Sequence, residues 1–440
     1  MRHRVDKPPT TRGKVIGTSV KTSRSLTRHL PAGIVDASFA SLATFAIGLT
    51  AVNLLPDKER GVYAVFFTTF IVGTVFARNL ILKPAEVEAV ALPLEQRVPV
   101  IRRTLTLGLG PAVVGSATSI LAAAATAPLA AADVIVPLTV TTAAASVLSP
   151  LQDHVRTMLH IGKRSWLAAT ISVVQLVATV IAILTMMQAN VADPWIPFGA
   201  LAVANLVSLS FGWGLTRKSR RDPGDVLPRF ADLARRGRWL VLQAAAPSIA
   251  GFAAAAIITR LASPEALGFA EAARVVAQPI LVLATGLAAV LNPRVVAAAM
   301  NRDLTTSSHS KTLFLTAISI TAAAYLAIAG WEWALNPMSR LVPAAYAVDG
   351  LVAVSILTSL AAASCFLQFN ELMGAKREST LTAISWSISP LLLVAGLSAG
   401  ATDAFARPLG GLSQDTARYA AQARILRAHY GQPPRNQQPE

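Results

Sequence analysis

The chain has 440 residues, 53% of them hydrophobic and 14% charged, with a mean hydropathy of +0.53. A soluble domain of this size carries far more charge. The net charge of +16 would suit a nucleic-acid binder, but the basic residues stand in alternate gaps between long apolar stretches, which is the pattern of a membrane protein.

Each apolar stretch is near the roughly 20 residues that one helical crossing of a hydrocarbon core requires. Irregular backbone is excluded from lipid, so each reads as a helix. The chain is therefore all-α and polytopic, with about 12 transmembrane helices expected near 31–55, 61–82, 104–127, 134–158, 165–187, 195–216, 239–260, 266–292, 312–330, 341–366, 380–399 and 402–424. The last carries Arg407, Asp415 and Arg418 and also fits an amphipathic surface helix, leaving the count at eleven or twelve. The first 28 residues are basic, with no apolar core of a cleavable signal peptide. Lys and Arg then concentrate at Lys83 to Arg103, Arg156 to Arg164, Arg217 to Arg238, Arg294 with Lys311, and Lys376 with Arg377. The intervening gaps are poor in them. This alternation predicts a multi-pass protein of the cytoplasmic membrane with both termini inside. Trp195, Trp331 and Trp333 fall at expected outer boundaries, as interfacial anchors do. The lone Cys365 cannot form an intrachain disulfide.

The longest basic gap divides the chain into halves that resemble each other. The run Leu54-Leu55-Pro56 to Gly61-Val62-Tyr63 aligns with Leu261-Ala262-Ser263 to Gly268-Phe269, and Gly162-Lys163-Arg164 answers Ala375-Lys376-Arg377. The expected domains are a basic tail (1–28), a six-helix lobe (29–216), a basic linker (217–238), a second six-helix lobe (239–425) and a disordered Pro/Gln-rich tail (426–440). Six helices per half makes the repeat parallel, with the substrate path between the lobes.

Two segments carry a family resemblance. One is the charged turn followed by Gly61-Val62-Tyr63-Ala64 and an apolar helix ending in Gly73 and Arg78. The other runs from Pro150-Leu151-Gln152-Asp153-His154-Val155-Arg156 to Gly162-Lys163-Arg164. Together they resemble the multidrug/oligosaccharidyl-lipid/polysaccharide exporter superfamily (MOP, MATE-like), on its polysaccharide flippase branch. The resemblance implies two lobes around a central cavity, alternating access, and a polyprenyl-diphosphate-linked oligosaccharide as cargo. It also implies membrane lipids, and glycosyltransferases or a polymerase of the same pathway, as partners.

Charges deep in a bilayer cost several kcal/mol and mark functional sites by default. Glu271, Arg274 and Gln278 share one face of the eighth helix near mid-membrane, just before Pro279. Arg there would grip a diphosphate through its planar fork; the same stripe also fits a Glu271–Arg274 pair that neutralises itself. Arg78, at the inner end of the second helix, fits either a cytoplasmic entrance for an anionic headgroup or a side chain snorkelling to the interface. Arg260 and Arg294 read as boundary residues. Asp36 takes a cation-coupling role from the resemblance to the drug-exporter branch, whereas its place near the start of the first predicted span favours a carboxylate complementing the helix dipole. Asp153 and Arg156 read as a solvated pair beside His154 and His160, with no convergent metal ligands. Gln175, Asn205 and Gln243 read as interhelical glue. Pro150 and Pro247 are candidate flex points.

No phosphate-binding loop is present, Gly374 to Thr380 lacking its spacing. No metal, cofactor or catalytic residue is expected, and the chain reads as a transporter rather than an enzyme. Two further readings stand beside the flippase: a cation-coupled exporter of small molecules, multidrug in kind, and an envelope-assembly scaffold that does not transport.

Overall fold

A computed structural model describes residues 16–55, 57–127, 130–216 and 228–431, with side chains described from residue 31 onward apart from scattered helical positions. The tail before residue 16, the linker 217–227 and the end after 431 lie outside the described residues, as does most of the expected disordered tail.

Among the described residues, twelve long rods follow one another along the chain. The first six are α1 (Ile16–Leu54), α2 (Asp57–Ala77), α3 (Leu94–Ser116, continued by Thr118–Thr126), α4 (Ala132–Ile161), α5 (Ser165–Gln188) and α6 (Ile196–Thr216). The second six are α7 (Phe230–Leu261), α8 (Pro264–Asn301), α9 (Leu304–Ala329), α10 (Leu351–Gly374), α11 (Glu378–Ile388, continued by Pro390–Leu397) and α12 (Ala406–Tyr430). Among the described residues, nine helices are long and apolar enough to cross a membrane. Several rods outrun their predicted spans, because a helix need not stop where the hydrocarbon does. Thus α8 ends at Asn301 rather than 292, and α7 starts at Phe230 rather than 239. Pro150, Pro247 and Pro279 all stand inside unbroken helices. A π-helical segment, Arg78–Leu82, leads from α2 into a last helical stretch, Lys83–Val90, beyond the predicted end at 82.

The two sets of six pack alike. In the first, α1 lies on α5, α2 on α3 and α4, and α6 on α4 and α5. In the second, α7 lies on α11, α8 on α9 and α10, and α12 on α10 and α11. So α12 takes in its lobe the place of α6, and is not a surface helix. Its least apolar residues are handled within the lobe: Arg418 donates to Asp415 at 2.8 Å, and Asp415 is buried.

The matching turns superimpose in chemistry as well. Lys163 and Lys376 both adopt left-handed backbone, at φ 56° and 57°. Gly162 N donates to Met158 O and Arg164 N to Leu159 O, just as Ala375 N donates to Glu371 O and Arg377 N to Leu372 O. These bonds satisfy the last carbonyls of α4 and α10. Two spacings therefore relate the halves. Leu54 and Leu261, which end α1 and α7, differ by 207, and Lys163 and Lys376 differ by 213.

Among the described residues, the apolar core shared by the two lobes lies at the end that carries these basic turns. One apolar cluster there draws on both lobes, joining Ile81, Leu82 and Met158 to Leu233, Leu240 and Val296. At the far end each lobe keeps its own core, around Tyr63, Phe66 and Phe198 in the first and Ala273, Ile280 and Val352 in the second. Two crossings carry most of the junction, α1 with α8 and the π segment of α2 with α7, and the repeat exchanges one for the other. At the first, Gly33 and Gly286 face each other so closely that a Cβ on Gly33 would lie 2.3 Å from the Gly286 carbonyl oxygen.

Reporter fusions test the orientation. Insertions at Lys163 and Lys376 are expected to read cytoplasmic and one at Asn190 external; an external signal at either lysine would refute it.

Candidate functional site

Asp36 lies on α1 twenty residues past the start of the helix at Ile16. The first-turn dipole explanation for it therefore fails, since the macrodipole acts within the terminal turn. Its carboxylate is buried against α4 and α5 at the basic end. Ser172 Oγ donates to Oδ1 at 2.5 Å, His160 Nε2 stands 2.9 Å from Oδ2, and Arg156 Nε is 3.5 Å away. Arg156 also donates to the Ser172 hydroxyl at 3.2 Å and to Asp153 at 2.9 Å. Asp153 in turn lies 3.9 Å from Arg78 on the π segment. An alternating chain of charge thus runs Asp36, Arg156, Asp153, Arg78, from the lobe interior to the junction between lobes. The solvated Asp153–Arg156 pair read from sequence is corrected: Arg156 is largely enclosed, because it reaches Asp36 on α1 and Ser172 on α5.

The repeat isolates what is special here. Adding 207 to Asp36 gives Gln243 on α7, and adding 213 to Ser172 gives Ser385 on α11. These twins also bond, Gln243 Nε2 donating to Ser385 Oγ at 3.1 Å. The positions matching Asp153, Arg156 and His160 are Phe366, Phe369 and Met373. The same scaffold is therefore built in the second lobe with a neutral amide and apolar side chains. Charge at these positions is not demanded by the fold, and a buried ion pair contributes little stability over apolar packing.

A second buried pair flanks the first. His154 Nδ1 stands 2.8 Å from Glu86 on the Lys83–Val90 stretch, and its Nε2 stands 2.9 Å from the Thr104 hydroxyl of α3. Burial pushes the Glu86 carboxyl up, but the bond to His154 and the Lys83 ammonium 3.6 Å away outweigh it and hold the group below the ordinary carboxylate range. Deeper in the lobe Gln152, Gln175, Asn205 and Ser149 bond in series across α4, α5 and α6. The two histidines serve separate carboxylates, and among the described residues no group of His, Cys, Asp or Glu is arranged to hold a metal.

The other predicted residues lie elsewhere. Arg274 and Gln278 are exposed on α8, turned away from the buried Ala273, Val276, Ala277 and Ile280. Thr285 shares their face, which leads round to Gly286 at the α1 crossing. The Glu271 side chain lies outside the described ones. Of the predicted residues, Asp36 and Arg78 are joined through α4, while Arg274 and Gln278 belong to the other lobe. Sequence reading missed His160 and Ser172 as partners of Asp36. Comparing the repeats at constant offset would have found the position, since Asp36 and Gln243 differ where the scaffold is the same.

No family model matches the sequence, and no curated protein does. Solved structures do. A MOP superfamily transporter from Pyrococcus furiosus, for which reverse polarity of the binding pocket suggests a different function, aligns with a TM-score of 0.71 at 13% identity, covering 92% of this chain and 96% of that one. A MATE in the straight conformation aligns at 0.68 and 14% identity over 93% and 97% of the two chains. The outward-facing conformation of a MATE family multidrug resistance transporter aligns at 0.66 and 12% identity over 92% and 96%. The chain has the MATE fold, that of a multi-pass membrane protein.

Two stability tests follow from the geometry. Arg156→Met, which strands a buried carboxylate, is expected to cost about 3 kcal/mol, whereas Asp153→Asn, at a partly exposed group, costs under about 1 kcal/mol; thermal unfolding in detergent separates them. Glu86, with its depressed folded pKa, contributes stability that is complete above the unfolded carboxylate value of about 4.3 and lost as pH falls through the folded one. Below about pH 4 the wild type should therefore lose melting temperature more steeply than Glu86→Gln.

Proposed function

We propose that the chain is a transporter working by alternating access, with Asp36 as its proton-coupling carboxylate. The observation that carries this is the charged network confined to one lobe of a repeat whose other lobe is neutral at the same positions. Arg156 at 3.5 Å would repel a metal cation from Asp36, so a proton is the coupling ion that fits. Proton uptake would cancel the charge that holds Arg156 and His160, and so change how α1 sits against α4 and α5.

By the positive-inside rule the basic end is cytoplasmic. The cores among the described residues are then shared on the inside and separate on the outside, as expected of an outward-facing state. We assign the cargo as a polyprenyl-diphosphate-linked oligosaccharide, moved from inner to outer leaflet. Arg78 at the inner mouth and the Arg274–Gln278 stripe on α8 supply cationic and hydrogen-bonding groups suited to a diphosphate. The membrane potential favours outward movement of such an anion by about 2.3 kcal/mol per charge per 100 mV. A proton-coupled exporter of small molecules would use the same Asp36 site, and reversed pocket polarity in the Pyrococcus furiosus neighbour is consistent with cargo differing among proteins of this fold.

Two variants test the cargo and the coupling in turn. Arg274→Ala is expected to leave protein level unchanged and to stop export, with lipid-linked sugar accumulating on the inner leaflet; an unchanged leaflet distribution would sink the flippase assignment. Asp36→Asn is expected to abolish the dependence of transport on the proton gradient, and transport that still follows the gradient would remove Asp36 from coupling.

A further inference from the structure

We infer that Arg236 is a transferable latch that holds the basic end of the two lobes together. This rests on the alternating-access reading and names the residues that regulate it. Arg236 stands on the second turn of α7, at the crossing where that helix meets the π segment of α2. Its Nε donates at 2.8 Å to Glu378, at the start of α11 in its own lobe, and its Nη2 bonds the same carboxylate. Its Nη1 donates at 2.9 Å to Glu88 on the Lys83–Val90 stretch of the other lobe. One guanidinium thus bridges two carboxylates, one from each lobe, using the separate edges of its planar fork.

The backbone beside it is built for contact. A Cβ on the adjacent Gly237 would lie 1.9 Å from the Leu80 carbonyl oxygen and 2.7 Å from its Cα. Asn79 Nδ2 donates to Leu240 O at 3.3 Å across the same seam. Only a residue without a side chain at 237 lets the seam close, and only closure brings Glu88 within reach of Arg236.

The two arms of the bridge are not equal. When the lobes part, the Glu88 arm must break, while the Glu378 arm stays inside one lobe. The guanidinium never loses all its carboxylate partners, so opening does not strand a charge. Glu88 is half-exposed and regains water on release. This is the arrangement that lets an ion pair favour the closed state without locking it. The other crossing brings the Gly33 and Gly286 backbones together, whereas this one adds a guanidinium shared between the lobes.

Spin labels on Lys163→Cys and Lys376→Cys, with Cys365→Ser in the full chain, report the separation of the basic ends by pulsed electron resonance. The proposal expects Glu88→Gln to raise the long-distance population about threefold, the size of one partly exposed ion pair. It expects Glu378→Gln to leave that population unchanged or lower, because Arg236 then serves Glu88 alone. Gly237→Val provides the control, since any side chain there must drive the seam apart. A Gly237→Val chain that opens, with Glu88→Gln unchanged or Glu378→Gln opening as far as Glu88→Gln, would overturn the latch and leave lobe rocking intact. A basic end that stays closed in all three variants would overturn the latch and the alternating-access reading together.

Discussion

Hydrocarbon offers no hydrogen bonds, and the rest of this molecule depends on that. Every backbone group must be satisfied within its own helix, so the chain is reduced to rods joined by short turns. Rods in lipid gain little from simple hydrophobic contact with each other. Association must come from close packing and from polar groups, and both are seen where the architecture turns on a contact. Glycine lets backbones touch at Gly33 with Gly286 and at Gly237 with Leu80. Buried polar side chains tie α1 to α4 and α5 within the first lobe.

Among the described residues, one apolar core is shared by the two lobes at the basic end, and each lobe has its own core at the far end. On the proposed mechanism such a body closes at one end and then at the other. The charged chain from Asp36 through Arg156 and Asp153 to Arg78 runs from a lobe interior to the junction between lobes. It offers a physical link between the charge state of one carboxylate and the helix that forms the seam, because successive members carry opposite charge. The neutral twin site at Gln243 and Ser385 shows what the same packing looks like without that link.

Part of this was legible in the residues themselves. Hydropathy placed the rods, charge alternation ordered them, and the turns at Lys163 and Lys376 marked the repeat. The likeness to the MATE fold was visible in two short segments and is matched by the solved structures, whereas the cargo was not decided by either. The twelfth helix was obscured by Arg407, Asp415 and Arg418, since composition does not show that a pair such as Asp415 with Arg418 neutralises itself inside a lobe. Helix ends were misjudged where a rod continues past the hydrocarbon, as α7 and α8 do.

What the sequence by itself determined was a set of local properties: which stretches are helical, which gaps are basic, and that the halves share a plan. Side-chain periodicity and turn chemistry act within a few residues, so they can be read along the chain. Only the tertiary structure decided that Asp36 meets His160, 124 residues away, and that Arg236 serves carboxylates in both lobes. Those meetings depend on how neighbouring helices are rotated and how closely they approach, which no single helix specifies. The twelve apolar stretches define a membrane bundle; the packing of α1 on α5, and of α7 on the π segment that follows α2, gives it a buried charge and a close seam between its lobes.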